Sequence, residues 1–241
     1  MPMIGMKPLG LLALFAIALA VGFAAPARAA GPAGDGAAGT PPPGHTVLAL
    51  GDSLTAGYGL GPDAGFTHQL AAWLDARGLD ARVVNAGVSG DTTSGGRSRL
   101  AWVLDGLDRA PDLAIVALGG NDMLRAIEPK LTRANLAAII ATLKERDIPV
   151  LLAGMRAPPN RGPDYAQAFD AIYPDLAEQH GVRLYPFFMD GVATDTDLLQ
   201  PDGLHPNAKG VARMVDGIGP LVAAMLRGDG AVDDDTTAGR H

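Results

Sequence analysis

The sequence predicts an α/β fold in which helices cover both faces of a parallel β-sheet. Five short apolar runs lie along the chain, and their residues are continuously apolar rather than alternating with polar ones. Such runs are typical of parallel strands that are buried on both faces. Longer segments with helical spacing separate the runs, and this alternation indicates a sheet between two layers of helices.

The carboxyl ends of the predicted strands are the first place to look for a functional site. In sheets of this kind ligands bind at those ends, where the strand order reverses. The crossovers between the strands are expected to be right-handed. In chain order, the strands are predicted at residues 46–50, 81–86, 113–118, 149–154 and 182–186.

Helical spacing predicts four long helices between and after these strands. The first places Phe66, Leu70 and Leu74 on one face and ends near Gly78. The last contains Pro220, which predicts a kink or a break there. The four helices are predicted at residues 64–78, 131–147, 163–181 and 205–228.

The first 29 residues predict a secretory signal peptide. Lys7 precedes an apolar stretch from Leu9 to about Ala25, and small residues with an A-x-A pattern end at Ala29. This is the layout of a signal that is cleaved after Ala29. The alternative is a retained membrane anchor, although the apolar stretch is slightly shorter than the roughly 20 residues that a bilayer requires. Cleavage predicts a periplasmic or secreted protein without a stable membrane anchor.

One folded domain is predicted at residues 45–227. Segment 30–44, rich in Gly, Ala and Pro, is predicted to be a flexible linker, and the acidic segment 228–241 a disordered tail. Residues 1–29 contain two of the 19 basic residues and none of the 26 acidic ones, so the chain without them carries a net charge of −9. This charge disfavours nucleic acids and anionic membrane surfaces as partners. The sequence has no cysteine, which excludes disulfides and thiolate metal sites.

A serine lies just past the carboxyl end of the first predicted strand. In the stretch LALGDSLTAGYG the apolar run stops at Gly51, and Asp52 and Ser53 follow at the start of a helical turn. Gly51 is predicted to allow the sharp turn off the strand. The Ser53 hydroxyl could cap this turn, or it could be a nucleophile, which requires a base to take its proton.

Among the five histidines of the sequence, His205 is the best candidate for that base. It lies in the Gly- and Pro-rich loop LQPDGLHPN, three residues after Asp202. That spacing can bring the carboxylate to the imidazole Nδ1 and leave Nε2 free for proton transfer. Asp202 and His205 could equally be turn and capping residues, with Pro206 at the first position of the following helix. His180, at a predicted helix end, has a sufficient structural explanation.

Glycine-rich stretches follow the second and third predicted strands. NAGVSGDTT contains Gly87 and Gly90, and LGGNDML presents Asn121 at a strand end. An Asn amide and a glycine N–H, together with the N–H of Ser53, could converge as an oxyanion hole for acyl transfer. Each stretch taken alone could also be an ordinary turn.

Four motifs together resemble the blocks of the SGNH, or GDSL-type, hydrolases. The resemblance spans about residues 46–226 and is strongest to secreted bacterial acyl-CoA thioesterases, lysophospholipases and arylesterases. The motifs occur in one order, each after a predicted strand: GDSL with Ser53, GVSGDT with Gly90, GGND with Asn121, and DGLHP with Asp202 and His205.

The resemblance implies a three-layer α/β/α, flavodoxin-like fold with a five-stranded parallel sheet. It implies a catalytic triad of Ser53, Asp202 and His205, and an oxyanion hole made of the Ser53 and Gly90 N–H groups and the Asn121 amide. No cofactor or metal is implied. The expected protein is a monomeric serine esterase whose substrates are small molecules: small to medium acyl or aryl esters, thioesters and lysophospholipids.

The acyl pocket is less specified by the sequence. Met123 and Leu124 are the candidate substrate-binding residues, and the loop 155–165 could cover the site or be a plain connection. Two other functions stay open: a carbohydrate O-deacetylase with the same triad, and a non-catalytic domain that holds an anion at its glycine-rich strand ends. Four residues are assigned structural roles: Asp52 in the turn, and Tyr173, Phe187 and Phe188 in the core.

Overall fold

A computed structural model describes residues 44–229, which form a five-stranded, wholly parallel sheet. The strand order is β2-β1-β3-β4-β5, the flavodoxin-like order. All five predicted strands are confirmed within two residues at each end. They are β1 His45–Gly51, β2 Ala81–Gly87, β3 Leu113–Ala117, β4 Val150–Ala153 and β5 Arg183–Tyr185.

The predicted signal peptide and most of the predicted linker and tail lie outside the described residues, so these assignments stay predictions. Within residues 44–229, no helix is both long and apolar enough to span a bilayer. Eight α-helices are described: α1 Ser53–Ala56, α2 Phe66–Asp75, α3 Thr93–Asp105, α4 Gly120–Leu124, α5 Pro129–Glu145, α6 Pro163–Asp170, α7 Ile172–His180 and α8 Ala208–Arg227. Three short 3₁₀ turns lie at Pro62–Ala64, Pro159–Arg161 and Thr196–Leu198.

Successive residues of each central strand enter two different cores, because side chains alternate across a sheet. Val47 and Ala49 pack with the apolar faces of α2 and α8, whereas Leu48 and Leu50 pack with those of α3, α5 and α7. All four side chains are at most 1% exposed. The continuously apolar strands of the sequence are thus explained by helices on both faces, as predicted.

Proline has opposite consequences in two of the predicted helices. The segment predicted as one helix at 163–181 is two helices, α6 and α7, separated at Ala171. The break places Pro174, which has no N–H to donate, in the first turn of α7, where none is needed. By contrast, α8 continues through Pro220 without a break. Buried residues on both sides of the proline hold α8 against the sheet, and such packing outweighs local propensity.

Helix α3 was not predicted, and its glycines are the reason. Gly95 and Gly96 lie in its first turn and weaken the helical pattern. Gly96 is required by packing, since a Cβ there would lie 2.3 Å from Leu118 Cδ1. The helix starts with a cap, because the Thr92 side chain accepts a hydrogen bond from the Gly95 N–H at 3.3 Å.

The strand order reverses at β1, and this positions the site. From β1 the chain first forms β2 on one side and then crosses to β3 on the other. Gly51 at the end of β1 is in register with Gly87 of β2 and Ala117 of β3. The segments that leave these three strands therefore start side by side at one edge of the sheet.

Candidate active site

Ser53 is presented at the first position of α1, directly after β1. The cap of this helix is Asp52, whose carboxylate accepts a hydrogen bond from the Leu54 N–H at 3.1 Å. The capping role that the sequence left open for Ser53 therefore belongs to its neighbour. Gly51 serves close packing rather than a left-handed turn, because a Cβ there would lie 2.0 Å from Thr55 Oγ1.

The structure brings Ser53 to the histidine and aspartate of the distant loop. Ser53 Oγ lies 2.9 Å from Nε2 of His205, across 152 residues of sequence. Nδ1 of the same ring lies 2.7 Å from Oδ2 of Asp202. An ionised carboxylate only accepts hydrogen bonds, so Nδ1 carries the proton and Nε2 is free to accept the serine proton.

The carboxylate of Asp202 is held in its charged form. Its Oδ1 accepts the backbone N–H of His205 at 3.0 Å and that of Leu204 at 2.9 Å. These two bonds, the His205 N–H first, followed by the bond to the imidazole, lower the pKa of Asp202 from 3.8 to about 2. The group is therefore a permanent anion beside the imidazole at any ordinary pH.

The loop that carries Asp202 and His205 closes on itself. The Gln200 N–H donates to the His205 carbonyl at 2.7 Å, and the Gln200 side-chain amide donates to the carbonyl of Pro206 at 2.9 Å. The same amide reaches the carbonyl of Tyr58 at 2.8 Å, and the Tyr58 ring packs on the imidazole with 4.6 Å between ring centroids. The Gln200 bonds thereby hold the backbone on both sides of His205, and the Tyr58 ring contacts the imidazole itself.

The sequence predicts Pro206 at the first position of the following helix, and this prediction is wrong. Helix α8 begins at Ala208, and its cap is Asn207, which accepts the N–H groups of Lys209 at 3.0 Å and Gly210 at 3.1 Å. Asn side chains are among the strongest N-caps, so the asparagine displaces the proline from the expected position.

The three residues predicted to supply oxyanion donors, Ser53, Gly90 and Asn121, line the same cleft as His205. Gly90 has φ +81°, a left-handed conformation that favours glycine. No hydrogen bond from the Ser53 or the Gly90 N–H is found within residues 44–229. Asn121 lies in the first turn of α4, and its Nδ2 is 3.4 Å from Asp52 Oδ2.

Asp52 is a buried acid within this site, and its side chain is 3% exposed. Burial raises the pKa of Asp52 from 3.8 to about 6. The Leu54 N–H, the nearby His205 and the Asn121 amide oppose that rise, in this order of size. The sequence assigned Asp52 only to the turn; its contact with Asn121 extends that role to the neighbouring strand end.

A second buried acid, Asp122, was missed in the sequence. It accepts the N–H of Thr93 at 2.8 Å and the hydroxyls of Thr93 at 2.5 Å and Thr132 at 3.2 Å. These bonds fasten α4, which carries Asn121, to the starts of α3 and α5. The only signal was an acid beside the asparagine in GGND, which is too weak to predict partners 29 and 10 residues away.

The cleft over Ser53 has a volume of about 500 Å³ and is largely apolar. Met123 and Leu124, the predicted substrate-binding residues, line it. The start of the loop 155–165 lines it as well, so this loop is more than a plain connection. Phe187 packs against the core, as expected, and also lines the cleft. Tyr173 and Phe188 are 1% exposed and lie in the core as expected.

Within residues 44–229, no three His, Cys, Asp or Glu side chains are grouped closely enough to hold a metal ion. Polar residues that line the cleft carry a hydroxyl, an imidazole, an amide, a carboxylate and a guanidinium, and they include Ser53, His205, Asn121, Asp52 and Arg156. Such groups can transfer a proton and stabilise a developing oxyanion, which are the requirements of acyl transfer.

Comparison with known proteins gives concordant matches. A family model described as the GDSL-like lipase/acylhydrolase family matches residues 49–213. Esterase TesA of Pseudomonas aeruginosa is 38% identical over 182 residues, which cover 76% of this chain and 90% of that protein. Thioesterase 1/protease 1/lysophospholipase L1 of Escherichia coli K12 is 41% identical over 162 residues, 67% of this chain and 76% of that protein. The crystal structure of AlinE4, an SGNH-hydrolase family esterase, is 49% identical with a TM-score of 0.65, and the match covers 74% of this chain and 95% of that one.

Proposed function

This chain belongs to the GDSL-like lipase/acylhydrolase family, and we propose that it is a serine esterase acting through Ser53, His205 and Asp202. It is a carboxylic ester hydrolase, as are the esterases to which it is similar. The observation that carries the assignment of residues is the hydrogen-bonded series from Ser53 Oγ through the imidazole to the carboxylate, with distances of 2.9 and 2.7 Å. That series opens onto an apolar cleft.

In the proposed mechanism, Nε2 of His205 takes the Ser53 proton as Oγ attacks the carbonyl carbon of an ester or thioester. The oxyanion forms against the Ser53 and Gly90 N–H groups and the Asn121 amide. The imidazolium then protonates the leaving alcohol or thiol, and an acyl-enzyme remains. Water, activated by the same imidazole, releases the acid. Asp202 remains ionised throughout and stabilises the imidazolium.

The cleft supports small to medium acyl or aryl groups as substrates. Its volume of about 500 Å³ and its lining of Met123, Leu124, Met155 and Phe187 match an apolar chain rather than a sugar. Similarity to the Escherichia coli thioesterase 1/protease 1/lysophospholipase L1 supports thioesters and lysophospholipids as further substrates. The pattern of residues 1–29 supports export to the periplasm or medium, and we expect the enzyme to act as a monomer.

Ser53→Ala is the test of the proposed nucleophile. We expect kcat on p-nitrophenyl butyrate to fall by roughly 10⁴-fold or more, the usual scale for a triad nucleophile, with an unchanged unfolding midpoint. Ser98→Ala, which removes an exposed serine on α3, is the matched control and should retain full activity. Near-full activity of Ser53→Ala would refute the proposal.

An acyl-chain series separates the proposed function from its alternatives. p-Nitrophenyl esters from acetyl to octanoyl, with matching thioesters, should give the highest kcat/KM beyond acetyl, because the apolar lining contributes about 0.8 kcal/mol per buried methylene. A sharp preference for acetyl groups would favour the carbohydrate O-deacetylase, and no turnover of any ester would favour the binding domain.

A further inference from the structure

The three proposed oxyanion donors lie on three separate segments of the chain. The Ser53 N–H belongs to the turn after β1, the Gly90 N–H to the loop after β2, and the Asn121 amide to α4 after β3. On the premise of the proposed function, we propose that Arg99 and Arg125 are positioning residues that fix the spacing of these donors. Neither arginine stands in a motif that the sequence analysis singled out.

Arg99 joins the first segment to the second. From α3, its Nε donates to Asp91 Oδ2 at 2.7 Å, and its Nη2 donates to the Gly51 carbonyl at 2.9 Å. Asp91 directly follows Gly90, and Gly51 precedes Ser53 by two residues. The side chains of Arg99 and Asp91 are 18% and 13% exposed, so solvent screens this ion pair little.

Arg125 joins the second segment to the third. Its Nη2 donates to the Gly90 carbonyl at 2.7 Å, and its own N–H donates to the Asn121 carbonyl at 3.1 Å. It therefore holds the peptide that follows Gly90 against the helix that carries Asn121. The 3.4 Å contact between the Asn121 amide and Asp52 joins the third segment to the first, so that all three segments are linked in pairs.

The hydrogen bonds that link the three segments fix the positions of the donors as precisely as an oxyanion hole needs. The Val88 N–H bonds to the Gly51 carbonyl at 3.1 Å, which ties the start of the loop to the first segment. Beyond Val88, the backbone bond from the Asp91 N–H to the Val88 carbonyl, at 3.0 Å, shapes the turn. The side chains of Arg99 and Arg125 fix the far side of the turn, at Gly90 and Asp91. A displacement of 1 Å at a reacting geometry can cost about 100-fold in rate. A guanidinium can bond a carboxylate and a carbonyl at once in a fixed plane, whereas a lysine ammonium is a point charge on a flexible stem.

Arg99→Lys tests the proposal because it keeps the charge beside Asp91 and removes the rigid bridge. We expect kcat on p-nitrophenyl butyrate to fall about 10- to 100-fold with KM changed less than about threefold. Arg125→Met, at an exposed position, should lower kcat roughly three- to tenfold for the same reason. The Ki of a trifluoromethyl ketone, which forms an oxyanion on the serine, should rise in parallel with the loss of kcat.

Two further measurements separate positioning from general stabilisation. Arg133→Lys removes a comparable bridge, from α5 to Asp175 and Gln179 of α7, away from the cleft, and should leave kcat unchanged. In an Asn121→Ala background, Arg99→Lys and Arg125→Met should each lower kcat by a smaller factor than in the wild type. The reason is that the effects of substitutions acting through the same oxyanion hole are not additive.

A folded Arg99→Lys enzyme with wild-type kcat would overturn the proposal, as would losses that multiply fully with Asn121→Ala. If Arg99→Lys does not fold, the proposal is tested by the kcat of Arg125→Met and by the double-mutant cycle of Arg125→Met with Asn121→Ala. Wild-type kcat in Arg125→Met, or losses that multiply fully in the double mutant, would overturn it. Ser53→Ala, measured in parallel, keeps the two proposals apart. If it retains activity, the proposed function fails; if it is inactive while both arginine variants are unaffected, only the positioning role fails.

Discussion

The two halves of the candidate site are built in opposite ways. The loop that presents His205 is closed by local hydrogen bonds, in which Asp202 reaches residues two and three positions ahead and Asn207 reaches a carbonyl eight positions back. The proposed oxyanion hole is joined by bonds that span 35, 48 and 69 residues. The base is therefore positioned mainly by its own loop, with one distant contact to Tyr58. The proposed donors are positioned by the packing of the whole sheet edge.

This difference separates the expected consequences of substitution. Local bonds re-form whenever the loop folds, so a single change there should affect chemistry without affecting neighbouring segments. Long-range bonds depend on how α3 and α4 pack, so a change there should alter a donor position and the stability of the edge together. Among substitutions at Asp202, Asn121 and Asp52, the expected effects decrease in that order.

Asp202→Asn is expected to be the most damaging of the three. The Asn Oδ1 can still accept the N–H groups of Leu204 and His205, so the loop should stay closed and the unfolding midpoint nearly unchanged. Its amide would face Nδ1 and favour the wrong imidazole tautomer, which costs about 10⁴-fold in kcat in a triad of this kind. Steady-state kinetics and thermal unfolding measure both effects, and a loss of less than tenfold would contradict the role of Asp202.

The pH dependence follows from the same group. Because the pKa of Asp202 is lowered to about 2, its carboxylate stays ionised through the mildly acidic range. A decline of kcat/KM between about pH 7 and about pH 4, measured by steady-state kinetics, should therefore report protonation of a group other than Asp202.

Asn121→Ala tests the half of the site that depends on distant contacts. Loss of one oxyanion donor typically lowers kcat by about 10²–10³-fold. The substitution also removes the amide beside Asp52, so a change in stability is expected here and not in Asp202→Asn. Asn135→Ala, which leaves the cleft lining intact but removes a bond to Thr93, is a control for effects on packing alone. Equal kcat in Asn121→Ala and the wild type would exclude the amide from the hole.

Asp52 should make the sheet edge sensitive to pH. Its pKa is about 6 in the folded chain, against the ordinary 3.8 of an unfolded chain, so the folded state binds the proton more tightly. Stability relative to Asp52→Asn should therefore fall as pH rises from about 4 to about 6, by about 3 kcal/mol in total. Urea unfolding of both proteins at several pH values measures this difference. A difference that is constant with pH, or that grows in the opposite direction, would contradict the burial of a titrating acid there.

The sequence predicted the local half of the site better than the distant half. The spacing of Asp202 and His205 is itself the contact, since three residues of turn bring the carboxylate to the ring. The strands were predicted equally well, because burial on both faces of the sheet requires continuous apolar runs in the sequence. The break that Pro220 could have caused does not occur, since buried residues on both sides of the proline hold α8 in place.

The contacts of Arg99, Asp91 and Asp122 could not be predicted in this way. They depend on how α3 packs. Gly96 lets this helix approach Leu118, and together with Gly95 it weakens the helical pattern in the sequence. The four motifs nevertheless indicated which strand ends meet at the cleft, because the carboxyl ends of neighbouring parallel strands lie at one edge. What the motifs lacked was the set of side chains that hold those ends in place.

Covalent labelling of the nucleophile is the most direct test of the convergence of Ser53 and His205. A fluorophosphonate transfers its phosphonyl group to an activated serine Oγ with loss of fluoride, and peptide mass spectrometry identifies the modified residue. The account predicts a single adduct on Ser53 in the wild type and labelling slowed by several orders of magnitude in His205→Ala. An adduct on the nearby Ser89, or labelling of Ser53 at an equal rate in both proteins, would contradict it.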